Sequence, residues 1–140
     1  MVTASADQRR RDAREEYNAN LAACPGHELL GVLSDKWVTL VVAALADGPM
    51  RHADLARTVA GATQKMLTQT LRKLERNGMV SRTVTASVPA RVDYALTGLG
   101  RDLLPLQRGI KAWAEAHIDD VRTARERYDV AASESEPVGR

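Results

Sequence analysis

Between Thr63 and Leu96 the spacing of apolar residues changes from helical to two-fold, and this change restricts the fold more than any other feature of the chain. The stretch TQKMLTQTLRKLERNGMVSR (63–82) places Leu67, Leu71 and Leu74 on one stripe at about 100° per residue, with Thr63 and Thr70 beside them. Lys65, Thr68, Gln69, Arg72 and Arg76 fall opposite. Asn77-Gly78 ends the helix. MVSRTVTA then alternates apolar with polar and is rich in β-branched residues, SVPA turns, and RVDYAL alternates back with Val92, Tyr94 and Leu96 on one side. A helix is therefore followed at once by a hairpin.

Upstream, the punctuation predicts three more helices. CPGHELLGVLSD has Cys24 at the N-cap and Pro25 at the first helical position, where its missing N–H costs nothing. SDKWVTLVVAALADGP starts at Ser34 or Asp35 and ends at Asp47-Gly48-Pro49. It is apolar on nearly all sides, which predicts a core helix. MRHADLARTVAG is short, with Ala53, Leu55, Ala56 and Val59 expected inside, and Gly61 breaks the chain before Thr63. Helix, short helix, tight break, helix and hairpin make a winged helix-turn-helix: mainly α, with a small β-hairpin wing. The chain has 140 residues, enough for one domain with a proper core. It has no Phe, so that core must be built from Leu, Val, Ala and Met, which favours helices.

From Thr97 a long helix is expected, with apolar positions Leu99, Leu103, Leu106, Ile110, Trp113 and Val121, and His117 in phase. The spacing is close to a heptad, and Pro105 and Gly109 predict a bend in its first third. Leu99, Leu103, Leu106, Ile110 and Trp113 exceed what a lone helix on a small domain must bury, so they are taken as a dimerisation stripe. The organisation expected is an arm or helix at 1–20, the winged domain at 21–124 with its C-terminal dimerisation helix at about 97–124, and a polar, disordered tail at 125–140. The arm carries Arg9, Arg10 and Arg11, answered by Asp12, Glu15 and Glu16. It reads as a solvated helix, or as an arm that wraps a partner subunit or touches a phosphate backbone.

No apolar run reaches the roughly 18 residues of a membrane span, and the N-terminus lacks a signal peptide's apolar segment. With the single cysteine, Cys24, this points to the cytoplasm. Net charge is only +2, so overall basicity proves nothing and the placement of charge must carry any nucleic-acid argument. Any surface helix shows Lys, Arg and Gln outside. What separates 63–77 is its context: one late acidic residue, Glu75, a short helix and a Gly-bearing break before it, and arginines in the hairpin after it. Arg forks onto guanine, Gln pairs with adenine, and a Thr methyl lies against a thymine methyl. The helix N-terminus and Lys65 suit phosphate. Arg91 follows the turn and is taken as the wing contact; Arg82 has the alternative of pairing within the sheet.

Cys24-Pro25, SDKW (34–37), KMLTQTLRKLERNGMVSR (65–82), VPARVDYALTGLG (88–100), Pro105 and Trp113 together resemble the HxlR-type bacterial transcription regulators, relatives of the MarR group. The resemblance covers about residues 24–118. It implies a homodimeric winged-helix protein that binds double-stranded DNA, with N- and C-terminal helices building the dimer. Carried over by position, the recognition residues run from Thr63 to Arg76, which adds Thr63 and Gln64 to the face above, and the wing runs from Ser87 to Arg91. His52 stands where an aromatic is more usual, and Met79 where Leu is usual. GATQKM is less typical than a Ser-rich start, so base preference does not transfer.

The resemblance also marks Cys24 as a candidate sensor of oxidants or electrophiles. A thiol at a helix N-cap sits at the positive end of the dipole, which favours thiolate; His27 would help if protonated and Glu28 would oppose. The competing reading is a packed, inert cysteine. Three histidines and one cysteine without a paired ligand motif fall short of a metal site, and no nucleophile has a base and an orienter at useful spacing. No cofactor, metal or catalytic residue is expected. A thiol-dependent enzyme using Cys24, and a winged helix that binds only other proteins, are the alternative classes. A small effector in the apolar space beside the last helix completes the expected partners.

Overall fold

The computed structural model describes residues 5–135. The elements are α1 (Ala6–Ala23), α2 (Pro25–Leu33), α3 (Lys36–Ala44), a short 3-10 turn (Leu45–Asp47), β1 (Met50–Arg51), α4 (His52–Thr58), α5 (Gln64–Arg76), β2 (Val80–Thr85), β3 (Arg91–Leu96), α6 (Gly98–Asp102) and α7 (Leu104–Ser135). The chain divides into two compact units at Arg101/Asp102.

In the first unit α3 packs on α5, and the core gathers Val38, Val41, Val42 and Leu45 with Leu55, Val59, Leu67, Leu71 and Leu74. A three-stranded antiparallel sheet of order β1-β3-β2 adds Val80, Tyr94 and Leu96. The hairpin register pairs Val80 with Leu96, Arg82 with Tyr94 and Thr85 with Arg91. β1 pairs Met50 with Tyr94 and Arg51 with Asp93. This strand was not legible in the sequence, because two residues are too few to show an alternation. Between sheet and α6, Thr97 Oγ1 donates to the Gly78 carbonyl at 2.6 Å and accepts from Gly100 N–H at 3.1 Å. A Cβ on Gly100 would lie 2.0 Å from the Met79 carbonyl oxygen, so only glycine fits that approach.

Several expectations need correction. α3 is buried on one side only: Leu40 is 37% exposed and Ala43 is exposed, because α5 and α4 pack on it from one side. Ala53 is exposed, since α4 turns Leu55 inward and has too few residues to bury a second face. The helix expected from Thr97 is two helices, α6 and α7, separated at Leu103. Pro105 has no N–H to give Arg101, so a helix cannot run unbroken through both; it restarts with Pro105 in the first turn and then passes through Gly109. α7 continues to Ser135 past the boundary expected at 124, because ARERYDVAASES (124–135) holds no Gly or Pro and is mostly good helix formers. Residues 136–140 of the expected tail, and 1–4 of the arm, lie outside the described residues. α1 buries no residue along its 18.

The step from α2 to α3 turns the chain by 72° at Ser34–Asp35. Asp35 caps α3, its Oδ1 accepting from Trp37 N–H at 2.8 Å and Val38 N–H at 3.3 Å. Its Oδ2 accepts from Lys73 Nζ at 3.1 Å, tying α3 to α5. Partial burial pulls the carboxyl's pKa upward, but the Lys73 ammonium and the two N–H groups outweigh it, leaving the group below its ordinary 3.8. An acid held below its unfolded value stabilises the fold fully above that value and loses the contribution as pH falls through the folded one. Asp35→Ala is therefore expected to cost about 1 kcal/mol at neutral pH. The gap from wild type should shrink as pH is lowered past 3.8; urea melts of both proteins across that range measure it, and a constant gap would contradict the assignment.

Candidate nucleic-acid interface

α5 opens at Thr63, whose Oγ1 accepts from Met66 N–H at 3.1 Å. It closes at Asn77, whose Nδ2 donates to the Lys73 carbonyl at 2.8 Å, before Gly78 at φ 73°. Leu67, Leu71 and Leu74 are at most 1% exposed. Their burial fixes the rotation of the helix, and Gln64, Lys65, Gln69, Arg72 and Arg76 emerge on the open side. Lys65, Arg72 and Arg76 make no ion pair among the described residues, whereas Lys73 is turned to Asp35. Three cations and two amides free of internal partners can bind an anionic, acceptor-rich surface.

Two expected members of this face stand differently. Thr63 is exposed, but its hydroxyl oxygen is engaged by the helix cap. Thr68 is half-buried and its Oγ1 lies 3.2 Å from His52 Nε2. In the wing, Arg91 Nε donates to Asp93 Oδ2 at 2.9 Å and Oδ1 at 3.2 Å, an ion pair two residues along the same strand face. Arg91 remains 48% exposed, so the pair is a partly solvated one.

Arg82, for which the sequence left pairing within the sheet as an alternative, makes no ion pair among the described residues. It sits directly across from Tyr94 and on the sheet face of buried Val80 and Leu96, so it points towards α5. With Thr68, Leu71, Arg72, Glu75 and Tyr94 it lines a cleft of about 400 Å3 between α5 and the wing. The alternation held the signal: Arg82 is two residues beyond Val80. Arg51 lines, with His52, Ser87 and Arg91, a second cleft of about 600 Å3 beside the turn of the wing.

Cys24 is exposed at the N-cap of α2 and makes no side-chain cap hydrogen bond. Of the expected dimerisation residues, Leu103 is buried at 8% exposure, while Leu99, Leu106, Ile110 and Trp113 are 51–61% exposed. Trp113 and His117 stack with centroids 4.5 Å apart. Among the described residues no group of His, Cys, Asp and Glu is placed to hold a metal ion, and no single helix is long and apolar enough to cross a membrane.

The profile of the HxlR-like helix-turn-helix family matches residues 32–122. The chain belongs to that family. It is 33% identical over 112 residues to the HTH-type transcriptional regulator YtfH of Escherichia coli, covering 80% of this chain and 89% of that one. The solved structure of the regulator ytfH from Salmonella typhimurium superposes with a TM-score of 0.66 at 36% identity, over 74% of this chain and 92% of that one. The redox regulator HypR in its reduced form superposes with a TM-score of 0.66 at 36% identity, over 71% of this chain and 99% of that one. The HxlR-like chain is thus a transcriptional regulator with a winged helix-turn-helix fold.

Proposed function

We propose that this HxlR-like regulator binds a pseudo-palindromic DNA operator as a homodimer, in the cytoplasm, with α5 in a major groove and the β2–β3 wing on the flanking backbone. The observation that carries the reading is the open face of α5, where Lys65, Arg72 and Arg76 stand exposed with no ion-pair partner among the described residues. Gln64 and Gln69 lie beside them as base-edge readers. Thr63 acts through the N–H groups of the helix it caps rather than through its own hydroxyl.

Dimerisation is supported by surface that a single chain leaves open. α1 buries none of its residues, Leu30 on α2 is 55% exposed, and α7 shows Leu106, Ile110 and Trp113. Apolar residues recurring along an amphipathic helix at that exposure suit a second copy. Thiol control is the second reading, favoured by one observation: Cys24 is exposed at a helix start, and HypR, solved in reduced and oxidised forms, is named a redox regulator. With no second cysteine in the chain, oxidation would join two subunits, mix with a small thiol or stop at sulfenic acid.

Footprinting DNA upstream of the protein's own gene and its neighbours should find half-sites about one helical turn, roughly 10 bp, or a multiple of it, apart. Arg72→Ala is expected to cost about 1–3 kcal/mol and relax choice at one base position; Arg91→Ala should weaken all sequences alike and flatten the salt dependence. Operator binding unchanged in both variants would put the DNA interface on another face; no retention on DNA at low salt would favour a protein-interaction module. Light scattering at micromolar concentration should give twice the 15.3 kDa protomer mass, reduced towards one protomer by Ile110→Asp; a 15.3 kDa wild type would refute the dimer. Diamide, a quinone or hypochlorite should alter the operator gel shift of wild type but not of Cys24→Ser. An unchanged shift after modification verified by mass spectrometry would remove Cys24 as the sensor.

A further inference from the structure

Of the residues expected to face DNA, Thr68 alone is turned partly inward. Helical threonines commonly return the hydroxyl to the carbonyl one turn earlier. Thr39, Thr58 and Thr70 do so here, at 3.1, 2.9 and 2.8 Å. Thr68 instead meets His52 Nε2 at 3.2 Å, across from α4. The His52 ring is itself half-buried and tilted against Tyr94, with centroids 6.4 Å apart. A side chain of one helix thus fixes a hydroxyl on another.

A hydroxyl offers one proton and two lone pairs. When His52 donates from Nε2, as the Nε2-protonated neutral ring and the charged ring both do, Thr68 Oγ1 accepts and its own proton is left to donate outward. Outward lies the cleft shared with Arg72, Arg82 and Glu75. Arg82 reaches that cleft from the sheet, so donors from helix and wing meet there. Its lining holds two arginines and one carboxylate, which leaves a cation in surplus.

The recess selects the ligand. Base edges lie on the floor of the major groove and are read by side chains that project from the helix, as Gln69, Arg72 and Arg76 do. A short hydroxyl set back on the wing side reaches only the rim, where phosphate oxygens stand. We propose that Thr68 and Arg82 seat one DNA backbone phosphate at the junction of α5 and the wing, and that His52 is the positioning residue that holds Thr68 as its donor. The inference rests on the reading of α5 and the wing as the DNA interface, and it moves Thr68 from base reading to backbone contact.

Anisotropy titrations against the footprinted operator and a scrambled duplex of equal length test it, with each variant's fold checked by thermal melting. His52→Phe keeps a ring against Tyr94 but has no donor; it should lose roughly three- to ten-fold on both duplexes, the size of one hydrogen bond. His52→Gln, whose amide donates from nearly the same point, should hold wild-type affinity. Thr68→Val should lose as much as His52→Phe, and the double variant no more. Thr68→Ser keeps the hydroxyl and should hold affinity, which gives the comparison from the other partner should His52→Phe fail to fold. Arg82→Ala should lower the salt slope by about one. A His52→Phe loss confined to one base pair of the operator would make Thr68 a base reader and overturn the proposal. So would additive losses in the double variant, wild-type binding by Thr68→Val, or an unchanged slope in Arg82→Ala. Wild type that binds neither duplex would instead remove the DNA-binding reading, and the phosphate seat with it.

Discussion

The seating of the α5 leucines against α3 is the contact on which the rest of the first unit depends. Leu67, Leu71 and Leu74 are essentially fully buried with Val38, Val41 and Val42 in the same core. A close-packed stripe of this kind has one rotation at which it fills its space, so the helix cannot turn about its axis without opening a cavity. Everything on the far side of α5 inherits that rotation. The Asp35–Lys73 pair joins the same two helices at the surface and removes one cation from the outward set, which leaves Lys65, Arg72 and Arg76 there.

The wing is fixed by a second constraint, its register. Val80 opposite Leu96 and Arg82 opposite Tyr94 put three core residues and one arginine on the same sheet face. A slip of one residue would exchange the faces, exposing Val80 and turning Arg82 away from α5. The joint at Gly78, Thr97 and Gly100 holds that register against α6, because the Met79 carbonyl occupies the space a side chain at position 100 would need. Arg82 therefore faces α5 for the same reason that Val80 is buried. The cleft between helix and wing follows from core packing and is not a separate feature grafted on it.

The polar side of this interface and the apolar surfaces elsewhere make different demands. Leu30, Leu106, Ile110 and Trp113 carry enough exposed apolar area to need a cover, and α1, with no buried residue, has no core of its own to hold it. The homodimer we propose would cover both surfaces, and α7, 32 residues long, would offer it an extended face. Cys24 stands between α1 and α2, so any adduct there would act on the arm rather than on the α5 face.

The sequence by itself determined the winged helix-turn-helix, the outward face of α5 and the hairpin, because these rest on local periodicity: 3.6 between Thr63 and Asn77, two between Met79 and Leu96. It also marked Ser34 or Asp35 as the start of α3 and Asn77-Gly78 as the stop of α5, since capping and stop signals act within a turn. It did not show β1, which is too short to have a period, nor the extent of α7, where composition rich in polar residues hid a strong helix former. The direction of Arg82, the Arg91–Asp93 pair and the meeting of His52 with Thr68 belong to the tertiary structure. The last joins residues sixteen apart on different helices. No local spacing encodes such a contact: it exists only once the leucine stripe of α5 has settled its rotation and the strands have settled their register.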